Sequence, residues 1–255
     1  MELRNVRGLT GVDITPYDIS GGSPGRHLGL PSATATLIID LADGLVLGTE
    51  NRSGTDTYRC VLAGMHLRPV TIHHDGSQVG VQVSFSPTAV RTVFGVPAGE
   101  LMHDATELSQ LDAPFARRLH ERLAQARRQD RAAVCAAALT DIAADDSPVG
   151  DAFAAWDYLA RRRGKATIAD LVEQSGWSAR HLTTLFTAEF GVGPKQAARL
   201  MRFDAARAAL AAGTPAVDVA IGCGYADQSH MSREFTDLTG HPPRALQKLR
   251  AAEFA

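Results

Sequence analysis

The sequence predicts an α+β chain, with an N-terminal half of antiparallel β-structure trailed by helices and a C-terminal part that is entirely helical. Three observations predict it. Over roughly the first 95 residues, β-rich runs are punctuated by Asp-Gly; apolar residues then switch to helical spacing; and one helical pattern occurs twice near the end. At 255 residues the chain has the length of about two ordinary domains.

The β reading starts at Thr34–Asp40 and Leu45–Thr49, which flank Asp43-Gly44, and continues at Pro69–His74 and Gln78–Phe85, which flank Asp75-Gly76. Asp-Gly between β-rich runs signals a hairpin, so each pair is expected to form one. In Gln78–Phe85 the alternation of Val79, Val81, Val83 and Phe85 with Gln78, Gly80, Gln82 and Ser84 puts one face in a core and the other toward solvent or ligand. A short helix is expected over Thr88–Phe94, ended by Gly95. Phe115, Leu119, Arg122 and Leu123 then mark an amphipathic helix, and Arg131–Ala143 marks a second. Such a pair can pack together or against a second chain.

Ala144-Asp145-Asp146-Ser147-Pro148-Val149-Gly150 gathers acidic, Ser, Pro and Gly residues between apolar-periodic segments. The expected division is therefore residues 1–144, a linker at 145–150, and residues 151–255. An opening helix carries Phe153, Trp156, Leu159 and Ala160 on one face. It ends in Arg161-Arg162-Arg163-Gly164-Lys165, a run that suits either a solvated helix end or a surface lying against phosphate.

The repeat lies beyond it. Ser178, Leu182, Phe186, Gly191 and Pro194 recur 49 positions later as Asp227, Met231, Phe235, Gly240 and Pro243. Each copy reads as helix, turn, helix, at about 167–190 and 216–239. In the first, Ile168, Leu171 and Val172 pack, Ser175-Gly176-Trp177 turns, Ser178 caps, and Leu182, Leu185, Phe186 and Phe190 face inward. In the second, Pro215 starts the helix, Val217, Val219, Ala220 and Ile221 pack, and Gly222-Cys223-Gly224-Tyr225 turns. Asp227 then caps a helix buried through Met231, Phe235 and Leu238. Gly191 and Gly240, each followed by proline, stand at helix ends. Lys195–Leu210 reads as one connecting helix.

Charge is distributed unevenly. Residues 1–160 hold 13 Lys and Arg against 19 Asp and Glu, whereas residues 161–250 hold 13 against 8. The basic C-terminal part suits phosphate contact, despite a chain average of −2. There is no apolar run of about 18 residues and no signal-like apolar core in Met1–Gly8, so a cytoplasmic protein without membrane association is expected. Cys60, Cys135 and Cys223 lie far apart, which argues against a disulfide framework or a cysteine zinc site. His73 and His74, consecutive on a strand, would point to opposite faces. With His66 they make a poor set for a metal-dependent enzyme, and no G-x-S-x-G, Walker or GxGxxG pattern is present. No catalytic residue, metal or cofactor is expected.

The stretch Val219-Ala220-Ile221-Gly222-Cys223-Gly224-Tyr225-Ala226-Asp227-Gln228-Ser229-His230-Met231-Ser232-Arg233-Glu234-Phe235, closing at Gly240 and Pro243, resembles the signature of the AraC/XylS family of transcription regulators. Ser178–Pro194 resembles that family's first unit, so the likeness covers residues 165–247. Where the family usually has Tyr-Arg after the last proline, this chain has Leu246-Gln247. Thr184 replaces an arginine common in the first recognition helix.

Subtracting buried positions leaves Arg180, Thr183 and Thr184 to read bases, with His181 and Thr187 nearer the backbone; the second helix offers Gln228, Ser229, Ser232 and Arg233. The resemblance implies that these positions face double-stranded DNA. It also implies an N-terminal sensing and dimerising half, often a cupin-like barrel that binds a small effector, and RNA polymerase as a partner. Residues 28–40 and 83–101 look like the sensor half of some such regulators. The effector, and whether transcription is raised or repressed, are not encoded legibly. Two readings remain open: an effector-controlled regulator, and a ligand-independent one whose N-terminal half only forms a homodimer or binds another protein.

Overall fold

A computed structural model describes residues 9–48, 54–101, 105–144 and 150–253, without the side chains of 250–253. Thr49, the N-terminal Met1–Gly8 and the 145–149 part of the expected linker lie outside the described residues.

Among the described residues, nine strands form two antiparallel sheets. They are β1 (Val12–Ile19), β2 (Gly25–Gly29), β3 (Ala35–Asp40), β4 (Leu45–Gly48), β5 (Thr55–Tyr58), β6 (Cys60–Ala63), β7 (Val70–His74), β8 (Gln78–Phe85) and β9 (Thr106–Glu107). One sheet runs β1-β8-β3-β6-β9 and the other β2-β7-β4-β5. The alternation of side chains assigns the faces. Leu37, Ile39, Cys60, Leu62, Val81, Val83 and Phe85 form one core with the helices that follow, while Ile38 and Val61 turn to meet Leu45, Leu47 and Ile72 of the second sheet.

The two expected hairpins are absent. β3 pairs with β6 and β8, and β4 pairs with β5 and β7; likewise β8 pairs with β1 and β3, and β7 with β2 and β4. Each Asp-Gly turn thus carries the chain from one sheet to the other. At the first, the Asp40 carboxylate accepts from the backbone N–H groups of Ala42 (3.2 Å) and Gly44 (3.3 Å), and Gly44 takes φ 107. That local geometry reverses the chain without deciding which strand becomes the neighbour.

Three helices back the first sheet: α1 (Pro87–Phe94), α2 (Ser109–Gln125) and α3 (Arg131–Thr140). Ser86 caps α1, and Gly95 ends it with φ 71. Asp112 breaks α2 at φ −147, and its carboxylate accepts from Phe115 N–H at 2.9 Å, so the regular amphipathic part begins where its apolar spacing begins. Phe115, Leu119, Leu123, Cys135 and Leu139 are buried within the chain's own core, so those side chains are not offered to a second copy.

Among the described residues, seven helices follow: α4 (Asp151–Arg161), α5 (Ile168–Ser175), α6 (Ala179–Phe190), α7 (Pro194–Ala211), α8 (Ala216–Gly222), α9 (Gln228–Thr239) and α10 (Pro243–Glu253). Trp156 stacks on Phe186 at 5.8 Å, and Phe203 meets Phe235 edge-on at 4.7 Å, so α4 packs on α6 and α7 packs on α9. Ala33 and Met65, from the β half, are buried in this helical core. Among the described residues no helix is long and apolar enough to cross a membrane.

Candidate nucleic-acid interface

Both expected helix pairs are present, and their ends follow from their own residues. Thr167 caps α5 in a reciprocal box with Asp170, whose carboxyl is held below its usual range by the hydrogen bonds from the Thr167 backbone and side chain. Ser178 Oγ accepts from His181 N–H at 3.2 Å, and Asp227 Oδ1 accepts from His230 N–H at 2.6 Å. Gly191 (φ 75) and Gly240 (φ 76) end α6 and α9 in the left-handed conformation. The two caps fix where each helix starts, and so which residues its first turns present. Asp227→Ala is expected to lower stability by about 1 kcal/mol, measured by urea denaturation, with Ser178→Ala close to it.

On α6, Arg180, Thr183, Thr184 and Thr187 are exposed and His181 is half-buried. On α9, Gln228, Ser229 and Arg233 are exposed and Ser232 is half-buried. Their opposite faces carry Leu182, Phe186 and Phe190, and Met231, Phe235 and Leu238, all buried; Leu185 is only half-buried. Thr183 and Thr184 hydroxyls donate to the helix's own Ala179 and Arg180 carbonyls, and Arg233 Nε donates to Ser229 O at 3.4 Å. Trp177 is 42% exposed and lies 4.4 Å from the His181 ring, which gives the start of α6 an aromatic rim. Gln228 and Ser232 also line a cleft of about 580 Å³ with Leu210, Pro242 and Arg244.

Two apolar residues do not do what their type suggests. Val217 and Ile221 are 55% and 68% exposed, while Val219 and Ala220 are the buried residues of α8. At 3.6 residues per turn, Val217 and Ile221 share a face about 130° round the helix from Val219 and Ala220, so the four cannot all meet one core.

A charged cluster joins the units. The Glu234 side chain is 7% exposed; it meets Arg199 Nε at 3.3 Å and Arg202 Nη2 at 3.4 Å, while Arg202 Nη1 donates to Gly164 O at 3.0 Å. Tyr225 is buried next to it, and burial first, then the Glu234 charge, pushes its phenol up. Their association was missed in sequence. A carboxylate beside buried Phe235, with two arginines three apart on the connecting helix α7, was the available signal.

The β half docks on the first unit. Arg91 of α1 forks onto Glu189 of α6, Nε to Oε1 at 3.0 Å and Nη2 to Oε2 at 2.6 Å. Asp204 of α7 accepts from Ser32 Oγ and Ala33 N–H, both at 2.9 Å. Gly99 lies so close to the end of α6 that a Cβ there would stand 2.8 Å from Gly191 N.

Two of the three histidines weighed as metal ligands have separate partners. His74 Nδ1 accepts from Gly76 N–H, and His66 Nδ1 faces Arg68 O. Among the described residues no three His, Cys, Asp or Glu groups could hold a metal ion.

Residues 171–249 match the family described as helix-turn-helix domain. The C-terminal part of the chain is an AraC-type helix-turn-helix domain. The chain is 38% identical over 65 residues to an uncharacterized HTH-type transcriptional regulator, YbfI, of Bacillus subtilis (strain 168). That match covers 26% of this chain and 24% of the relative. The whole fold is shared more widely. Apo ToxT from Vibrio cholerae strain SCE256 superposes with a TM-score of 0.57 at 12% identity, covering 94% of this chain and 98% of that one. Wild-type ToxT with an unsaturated fatty acid bound gives 0.54 at 13%, covering 93% and 95%. At such identities the likeness is one of fold: antiparallel sheets followed by the helical domain.

Proposed function

We propose that the chain is a sequence-specific transcription regulator that reads duplex DNA with α6 and α9. The observation that carries this is the matched pair of capped helices, each with an apolar inner face and a polar, exposed outer one. At 1.5 Å per residue, the 18 residues of α7 span about 27 Å, a spacer suited to adjacent major grooves about 34 Å apart. In this reading Arg180, His181, Thr183, Thr184 and Thr187 serve one groove, and Gln228, Ser229, Ser232 and Arg233 the next. The chain divides at residues 145–150, works as a cytoplasmic, non-catalytic homodimer joined through its N-terminal half, and recruits or obstructs RNA polymerase. The fold shared with ToxT, one form of which holds an unsaturated fatty acid, supports control by a small molecule and makes apolar carboxylic acids the first effectors to try.

Footprinting of the full chain on genomic fragments, with and without unsaturated fatty acids, tests this. A protected site spanning two turns of the duplex is expected. Lack of any protected site at low salt rejects the regulator reading, and a footprint that no acid alters favours the ligand-independent form.

Arg233 supplies a sharper test because it leaves the helix two residues after buried Met231. Arg233→Ala is expected to cost about 1–3 kcal/mol on the best site and to relax preference at one base pair, as loss of a guanine contact does. Equal weakening on all sequences, with a salt slope lower by about one, would make it a phosphate contact instead.

A further inference from the structure

We infer that the first reading unit selects thymine by its 5-methyl group, through Thr183, Thr184 and Trp177, whereas the second unit reads hydrogen-bonding base edges. The inference rests on the regulator reading above and names the base class that one unit takes.

The polar atoms of α6 turn inward. Thr183 Oγ1 donates to Ala179 O at 2.8 Å and Thr184 Oγ1 donates to Arg180 O at 3.1 Å, each one turn back along the helix. Both residues are exposed. With each hydroxyl turned toward its own helix and its hydrogen engaged there, the group that each threonine offers outward is its methyl. Ala188, one turn beyond Thr184, is also exposed and extends this apolar row.

An aromatic ring stands at the entrance of the same helix. Trp177 is 42% exposed, its ring lies 4.4 Å from that of His181, and its backbone N–H donates to Ser175 Oγ at 3.2 Å. The indole is thus held at the start of α6 and not folded into the core, where Trp156 lies.

The second unit differs at the matching positions. An offset of 49 sets Ser232 against Thr183 and Arg233 against Thr184, so a hydroxymethyl and a guanidinium stand where α6 offers methyl groups. Its turn aromatic, Tyr225, faces the His230 ring but is buried. Gln228, Ser229, Ser232 and Arg233 can therefore exchange hydrogen bonds with base edges, and none of them carries a methyl group. A recognition helix sets its first turns against the bases, and in the major groove thymine alone of the four bases presents a methyl. The outward face of α6 matches that group.

The threonine pair gives a direct test, because serine keeps the hydroxyl and removes only the methyl. The full chain selects a duplex from a random pool, and thymines in one half-site at a time are then replaced by deoxyuridine, which lacks the 5-methyl. Binding by the parent and by T183S/T184S is followed by fluorescence anisotropy. Both threonines are exposed, so the melting temperature of the variant is expected to match that of the parent. The parent should lose about 4-fold per contacted methyl in one half-site and nothing in the other. T183S/T184S should bind the thymine duplex more weakly and should lose most of its discrimination between thymine and deoxyuridine, a coupling that general loosening of α6 does not produce. Trp177 has its own readout: the other tryptophan, Trp156, is buried, so acrylamide quenching reports Trp177, and the duplex should shield it. The inference is overturned by a parent indifferent to deoxyuridine, by equal losses in both half-sites, by a serine variant that discriminates as the parent does, or by an unshielded Trp177. Failure of the parent to bind any duplex would reject the regulator reading itself.

Discussion

Gly164→Ala is expected to lower the melting temperature by about 7–14 °C, the largest effect of any single methyl group added to the helical domain. Gly164 takes φ 73, and a Cβ there would stand 2.2 Å from Ala198 O and 3.0 Å from Met201 Cβ. The first obstacle is backbone in the second turn of α7, which cannot rotate away as a side chain would. The left-handed conformation costs alanine about 1 kcal/mol, and forcing α4 away from α7 adds about 1–3 kcal/mol, together about 2–4. Gly240→Ala separates the two terms, because Gly240 has φ 76 but nothing within 4 Å of the added carbon, so it should lose only the first. Thermal unfolding of both variants checks this. Equal shifts would mean that the loop moves aside and that the α4–α7 contact is not tight.

Glu234→Ala comes next, at about 2–3 kcal/mol. The carboxylate bridges two guanidiniums, and removing it leaves Arg199 and Arg202, 28% and 18% exposed, facing each other across the gap. Breaking a fully buried pair costs about 3–5 kcal/mol; partial exposure of both arginines reduces that figure. Glu234→Gln, which keeps the shape and one acceptor, should recover part of the loss. Because the cluster ties α9 to α7, protection by Glu234→Ala is expected to weaken more in the half-site read by the second unit than in the other. Urea denaturation with footprinting tests both statements. A uniform loss across the footprint would show that α9 keeps its place without the bridge.

The helical domain was legible because each of its signals is local. Ser178, Asp227, Gly191 and Gly240 cap or end helices by bonds within four residues, and the repeat presents each signal twice. The same locality misled the reading of the β half. Asp43-Gly44 and Asp75-Gly76 do turn the chain, yet partner choice depends on strands far away, such as β8 between β1 and β3. Val217 and Ile221 were read as core because they are apolar, although their spacing puts them on a different face of α8 from Val219 and Ala220. The docking of the β half was out of reach altogether: Arg91 finds Glu189 across 98 positions, and Ser32 finds Asp204 across 172. Neither pair leaves any periodic trace.

The continuous helix α7 makes the distance between the reading units a quantity counted in whole turns. Inserting one residue would rotate everything beyond it by about 100° while advancing it only about 1.5 Å. DNA answers in other steps, about 34° and 3.4 Å per base pair, so no added base pair restores both angle and distance. An insertion would also turn Asp204 away from Ser32 and Ala33, or Phe203 away from Phe235, according to where it fell. The spacing of the half-sites is thus a fixed gauge. Regulators built on this plan are free to exchange the letters they read, but not the interval between the words.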